Sequence, residues 1–540
     1  MPLLTAYFCA MSLMLLFQAA AALSPLAARP DTNRLPHDVV NYDVSLVLGD
    51  SGRHVLGQVD VSWRLESEEP AELQLDSALR VIRVLVNGRE NTRLVRTIWF
   101  RRGMRIAVPH ESRAGDTLST RLRYRGDVSD GLVFSRGPAG QRVFADNWPD
   151  HARGWLPVQD HPSDKASVAF HVQVPAGMQV IANGTLEKVD SLPYDHRVWH
   201  YRLSEPIPTY AMVIGVGTFA VTPLGEGGCP IRCVPVTLWS EPADSVRAAA
   251  AFARAARMVD FFTGLVGPFP YPSLAHVQAA TRFGGMENAT AIFYHDSLVH
   301  AGGMNDRLIA HETAHQWFGD AVTEDDWHHL WLSEGFASYL AAMWAEQTGG
   351  IAARAAAMRS EAEQYFRSAQ VDRPVIDLSV THPDSLLNEN AYQKGAWVLH
   401  QLRGLIGDSA FAGALREYYR AHKHGTAVSA DFAAAVTKVS GRDLDWYFRQ
   451  ALTQPGYPML DVRWRLRGDA LDIEIRQTQP PAWGTYRLPG LVLRLDGKDT
   501  RVDVDGRVTR RTVRGIRRTP SRVEVDPEGW WLLKAVSSKQ

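Results

Sequence analysis

The chain has 540 residues, 45% of them hydrophobic and 22% charged, with a formal net charge of -1. That length exceeds what one hydrophobic core supports, so several domains are expected. A near-zero charge without long single-sign runs excludes a general pull toward nucleic acid or anionic membranes, and leaves function to a localised site.

Residues 1–28 carry no acidic or basic side chain and contain an apolar run over 11–17, followed by Gln18 and the small residues 19–22. The run is short for a membrane span and the small residues offer a cleavage point. This predicts a secretory signal peptide over 1–22 and an exported, periplasmic or extracellular protein, without firm membrane association unless the segment stays attached. Beyond the leader only Cys229 and Cys233 remain, in C-x3-C spacing. In an oxidising compartment they predict a local disulfide, with a free pair or half of a metal site as alternatives.

From Asn41 to about Phe219 the apolar residues recur with period two, as in Tyr42, Val44, Leu46, Leu48 and in Val59, Val61, Trp63, Leu65. With turn signals at Asn87-Gly88 and Asn183-Gly184, this predicts a half-buried antiparallel β-domain over 23–223. Near Pro242 the pattern turns helical, at 245–262, 308–319, 334–347, 351–369, 391–406, 410–421 and 444–452, which gives a mainly helical domain over 224–455. Alternation returns at Leu460, Val462, Trp464 and Leu466 and predicts a small β-domain over 456–540. Arginines 507, 510, 511, 514, 517 and 518 read there as a solvated strand face rather than an anionic partner site. The fold class is multidomain α+β.

Within the helical region, His311-Glu312-Thr313-Ala314-His315 places two imidazoles one turn apart on one face. Catalytic zinc needs a third protein ligand and an open fourth position. Glu334 stands 19 positions after His315, and Ser333 reads as the N-cap of a second helix that carries Glu334 toward the first. His311, His315 and Glu334 are thus expected to hold one Zn2+ per chain. Glu312, on the same helix, is expected to take a proton from water whose pKa the metal lowers to about 7. His328 and His329 are expected in the connecting loop, at the surface or behind the ligands, and not as ligands.

Together with Phe283-Gly284-Gly285-Met286-Glu287-Asn288, this pattern resembles the aminopeptidase N family of zinc peptidases, which pairs HExxH-x18-E with a G-x-M-E-N segment. Arg34-Leu35-Pro36 with Tyr42 is similar to the family's start, Ala152-Arg153-Gly154-Trp155-Leu156-Pro157 with Asp160 and Pro162 to its N-domain signature, and Pro208-Thr209-Tyr210 to that domain's exit. The resemblance implies a thermolysin-like catalytic domain, a C-terminal β-sandwich, and release of the N-terminal residue from peptides with a free N-terminus. It implies that Gly284, Gly285, Met286, Glu287 and Asn288 bind substrate as an edge strand, with Glu287 on the α-amine. A fixed carboxylate there leaves an internal peptide with nothing to satisfy the anion. Tyr392, in Asn390-Ala391-Tyr392-Gln393-Lys394-Gly395-Ala396, is implied as donor to the oxyanion.

Two features depart from the family. Trp148 stands where many members carry a Glu or Gln as second amine ligand, with Asp146 as the nearby substitute. The large C-terminal helical domain of many relatives is not expected, which implies more open access unless a homodimer covers the site. An endopeptidase, an epoxide hydrolase on the same metal site, and a non-catalytic binding protein are the competing functions. The triplets Asn183-Gly-Thr and Asn288-Ala-Thr match a glycosylation signal, but the first reads as a hairpin turn and the second lies in the expected site.

Overall fold

The computed structural model describes residues 24–30, 34–49, 52–91, 93, 95–99, 103–137 and 140–539, so the predicted leader over 1–22 lies outside the described residues. Period-two patterning builds the first region as expected. In Asp38–Leu48 (β1), Tyr42, Val44, Leu46 and Leu48 are buried and the residues between them are partly exposed. This strand pairs antiparallel with His54–Arg64 (β2) and parallel with Lys165–Pro175 (β3), which pairs antiparallel with His196–Pro208 (β4). All four belong to an eight-stranded sheet, and two smaller sheets of four and three strands complete the region.

Asn87-Gly88 closes a hairpin between Arg80–Val86 and Arg89–Glu90, both residues at positive φ (47° and 77°), as a type I′ turn requires. Asn183-Gly184 is not a hairpin, contrary to expectation. Its flanking strands, Gln179–Ala182 and Thr185–Leu192, join different sheets. The Asn183 amide is fully buried and donates to the Ala211 and Ala289 carbonyls while accepting from Val213 N. A side chain so committed is closed to glycosylation.

The central region opens with a five-stranded mixed sheet that the sequence pattern does not announce. Its strands are Ala220–Gly227 (β5), Val234–Ser240 (β6), Leu274–Ala279 (β7), Gly285–Met286 (β8) and Ala291–His295 (β9), in the order β5-β6-β7-β9-β8. Every residue of β7 is buried, which erases alternation. Cys229 and Cys233 form the expected disulfide in the β5–β6 connection. The expected helix at 245–262 is broken into Ser245–Ala251 and Ala255–Leu265.

The helices that matter for the site are Asp306–His315 (α1), Trp331–Tyr365 (α2) and Gly395–Ile406 (α3). The two helices expected at 334–347 and 351–369 are both present, taken together as α2 and divided by a kink at Gly350, where φ is 76° and the backbone is not helical. Ser333 is not its N-cap. The chain enters α2 from the 3-10 turn Trp327–His329, whose cap is Asp326, with its side chain accepting from His328 N, so the helix is already under way at Trp331. Asp408–His422 and Asp445–Thr453 follow the pattern, and Ser429–Ser440 is an additional helix.

Beyond Tyr457 a four-stranded and a three-stranded sheet form the C-terminal sandwich. Leu460, Val462 and Trp464 of Met459–Arg467 point inward, and Ala470–Gln477 pairs beside them with Leu471, Ile473 and Ile475 buried. Val508–Arg514 is the edge strand of the larger sheet; its Arg510 is exposed and pairs with Glu474 at 2.9 Å, a solvated face. Among the described residues no helix is long and apolar enough to cross a membrane.

Candidate metal centre

Helix α1 begins on a cap: the Asn305 side chain accepts from Leu308 N, and Asp306 supplies a first-turn acid. One turn of spacing then brings His311 Nε2 within 3.1 Å of His315 Nε2. Glu334, in the first turn of α2, sets its Oε2 3.3 Å from each of those nitrogens. Three donor atoms with edges of 3.1–3.3 Å match the face of a tetrahedron, whose edge is about 3.3–3.4 Å when the metal bonds are about 2.0–2.1 Å. Glu334 Oε2 is otherwise buried without a hydrogen-bond partner. An orphaned carboxylate oxygen facing two imidazole nitrogens is what a divalent cation would satisfy, so the residues fit zinc.

Groups behind the ligands set their orientation. His315 Nδ1 lies 3.1 Å from the Phe318 carbonyl and 3.0 Å from Ser333 Oγ, which favours a proton on Nδ1 and a bare Nε2. Ser333 therefore serves the ligand and not the helix end. His311 stacks against Tyr392, with ring centroids 6.1 Å apart and planes 10° from parallel. The Tyr392 hydroxyl donates to Glu334 Oε1 at 2.7 Å from a π-helical turn, Asn390–Lys394, that leads into α3. Burial, with the Glu334 charge beside it, pushes this phenol well up, so it remains a donor.

The electrostatics are dominated by crowded carboxylates. Oxygens of Glu287 and Glu312 and a nitrogen of His315 lie within 4.8 Å of one another. Burial pushes Glu312 well above the usual range; His315 opposes this, and the charges of Glu287 and Glu334 add to it. Glu287 is raised by burial as well, with His315 opposing and Glu334 reinforcing. Glu334 is held at about 2 despite its burial, by His315 and His311.

These groups open onto one cavity of about 450 Å³ lined also by Trp148, Phe283, Met286, Leu387 and Arg307. Residues Gly284, Gly285, Met286 and Glu287 line it, while Asn288 is fully buried beside it. The edge strand is shorter than expected, only Gly285–Met286, antiparallel to β9. Asp146 does not reach the cavity as a second amine carboxylate. It accepts from Arg282 N at 2.9 Å and pairs with the Arg282 guanidinium at 3.1 Å, while Trp148 packs against Phe283 and Trp327. His328 and His329 are buried, not at the surface. His329 bridges Ser429 and the Ala28 carbonyl, and His328 reaches the Val380 carbonyl.

Two residues of the N-terminal signatures, Tyr210 and Asp160, and one that the sequence did not flag, Gln316, complete the surroundings. Tyr210 reaches from the N-terminal region to donate to the Gly319 carbonyl at 2.9 Å, just past α1. Asp160 joins the two N-terminal signatures by accepting from Arg153 N and from Thr209 Oγ1. Gln316, the residue after His315, is fully buried between Glu287, Thr290 and Asp320. Nothing in the sequence marks it beyond its place next to His315.

Comparison with known proteins shows what the chain as a whole is similar to. Residues 39–211 match the Peptidase M1 N-terminal domain and residues 251–450 the Peptidase family M1 domain. The chain is 27% identical over 368 residues to a probable aminopeptidase 2 of Sulfurisphaera tokodaii, covering 64% of this chain and 46% of that protein. It is 28% identical over 392 residues to an aminopeptidase N of Streptomyces lividans, covering 65% and 44%. The chain thus spans about half the length of the curated relatives it matches. A mutant of the M1 zinc metallopeptidase of Deinococcus radiodurans, bound to a Tyr-Ser-Ala substrate, superposes with a TM-score of 0.67 at 26% identity, over 77% of this chain and 94% of that one.

Proposed function

Because the chain belongs to peptidase family M1, we propose that it is a zinc aminopeptidase that hydrolyses the first peptide bond of substrates with a free N-terminus. The observation that carries this reading is the buried Glu287 carboxylate, in the same cavity as the three metal donors and within 4.8 Å of Glu312 and His315. A terminal ammonium converts that crowding of negative charge into attraction, whereas an acylated nitrogen does not.

His311, His315 and Glu334 would hold one zinc ion, which would acidify water and polarise the scissile carbonyl. Gly285–Met286 offers its free edge to the substrate backbone as an added strand. Glu287 takes the α-ammonium and so sets the distance from the chain end to the scissile bond. Glu312 receives a proton from the attacking water and passes it to the leaving nitrogen as the C–N bond breaks. Tyr392 swings its hydroxyl from Glu334 to the carbonyl oxygen as charge builds there. The apolar walls, Trp148, Phe283, Met286 and Leu387, support an apolar first side chain.

We also propose export through the apolar segment at 11–17, a reading supported by the Cys229–Cys233 disulfide. Rates on amino-acyl amides and on their N-acetylated forms, with and without a zinc chelator, test the function. Selective cleavage of the free amines, abolished by chelation, is expected; equal cleavage of both forms would overturn it.

A further inference from the structure

The segment from Glu287 to Thr290 runs between β8 and β9 without secondary structure of its own, yet each of its four backbone carbonyls accepts a hydrogen bond. Asn288 O accepts from Ala291 N at 3.0 Å and Thr290 O accepts from Ala275 N at 2.8 Å. The Asn183 amide donates to Ala289 O at 2.7 Å, and Thr290 Oγ1 accepts from Gly184 N at 2.7 Å. Thr290 itself sits at φ 65°, a left-handed conformation that a β-branched residue adopts only when its surroundings impose it.

The remaining ties come from one side chain on the metal-bearing stretch. Gln316 Nε2 donates to Glu287 O at 2.7 Å and to Asp320 Oδ2 at 2.7 Å, while Gln316 Oε1 accepts from Thr290 N at 2.9 Å. Gln316 and Asp320 are both fully buried. The amide has one workable orientation. Turned over, it would press its oxygen against a carbonyl and a carboxylate, and its NH2 against the Thr290 N–H. Asp320 therefore keys the amide, and the amide bridges the residue next to His315 to both ends of the Glu287–Thr290 turn.

We propose that Gln316, keyed by Asp320, is a positioning residue that fixes the Glu287 carboxylate against the metal-bearing helix and thereby sets the selectivity for a free α-amine. The inference rests on the reading of Glu287 as the amine-binding group. Loosening the bridge frees the Glu287 backbone without touching a metal donor or Glu312, so its signature is a loss of amine recognition rather than of chemistry.

The test is steady-state kinetics of Gln316→Met, similar in length but without polar atoms, on leucyl amide and N-acetyl-leucyl amide chromogenic substrates, with zinc content and thermal melts alongside. The free-amine substrate should lose roughly 10- to 100-fold in kcat/KM, chiefly through KM, as expected for a buried hydrogen-bonded bridge. The acetylated substrate should keep its residual rate, and zinc should stay at one per chain. Asp320→Asn, nearly isosteric, should shift the same ratio less, by roughly 3- to 10-fold, and it decides the matter alone if Gln316→Met does not fold. An equal fall on both substrates, or an unchanged ratio in variants that retain zinc, overturns the positioning role. A wild-type protein without preference for the free amine overturns the amine-binding reading itself, and the positioning role with it.

Discussion

Glu312→Gln separates the chemistry of the site from its assembly. Glu312 is buried, 4% exposed. Its nearest charged neighbours include Glu287, within 4.8 Å. At an effective dielectric constant of about 20, two full negative charges at that distance repel by about 3.5 kcal/mol. Burial already disfavours the charged form of Glu312 in the metal-free protein, so the carboxylate escapes that repulsion only by holding a proton; the amide keeps the shape with no charge to carry or proton to take up, and the metal-free protein should gain on the order of 1–3 kcal/mol and melt higher. Zinc should remain, since His311 Nε2, His315 Nε2 and Glu334 Oε2 are untouched. Turnover should fall by about 10²–10⁴, equivalent to about 3–5.5 kcal/mol of barrier, the contribution of a positioned general base. Turnover of amino-acyl amides, metal content, and melts recorded in chelator read these three effects independently. A kcat within about threefold of wild type would refute the base assignment. Loss of zinc from a folded variant would instead make Glu312 a ligand.

Other substitutions probe the supports of the same groups. A Cβ on Gly285 would fall inside the Glu312 carboxylate, so Gly285→Ala should cut kcat by about tenfold or more through misplacement of the base, with zinc content unchanged. Gly335 and Gly395 touch where α2 crosses α3, an added Cβ on Gly335 lying 2.8 Å from Gly395. Gly335→Ala should therefore part the helices carrying Glu334 and Tyr392 and cost about 1–3 kcal/mol in denaturant unfolding; an unchanged midpoint would refute the close crossing. Asp160 is raised to about 6, with burial the leading cause. Its folded form holds the proton longer than the unfolded form, so its contribution to stability is fully present below about pH 4 and is lost as pH rises through about 6. Asp160→Asn should flatten that part of the stability profile measured by urea titration, and an identical slope in the variant would refute the assignment.

What was legible in the sequence divides by how far the forces act along the chain. Alternation in 41–65 and 460–475 survives because one face of each strand is wet and the other dry, so each residue reports its own surroundings. Helix α1 announced its two imidazoles because the spacing of one turn is a local property. The start of α2 was misplaced because Ser333 is a good cap by type, while Asp326, seven residues earlier, had already capped the turn that runs into the helix. The mixed sheet left no pattern: β7 is buried on both faces, and the edge strand at Gly285–Met286 is too short to have a period.

The amine pocket is the extreme case of the same limit. Glu287 could be named from its motif, but its position is set by Gln316, Asp320 and Asn183, which are distant from it in sequence; the first two signal nothing until they are buried together, and the third signals a turn. Asp146 shows the reverse error. A carboxylate near the expected place was already engaged by Arg282, in a pairing that composition and spacing do not encode. Metal donors tolerate such ignorance because a cation selects three atoms by type and distance, whereas an amine anchor works only if a single carboxylate is held still. The bridge through Gln316 is therefore where changes in substrate selectivity should arise without loss of the metal, and the ratio of free-amine to acetylated cleavage, rather than absolute rate, is the quantity that reads it.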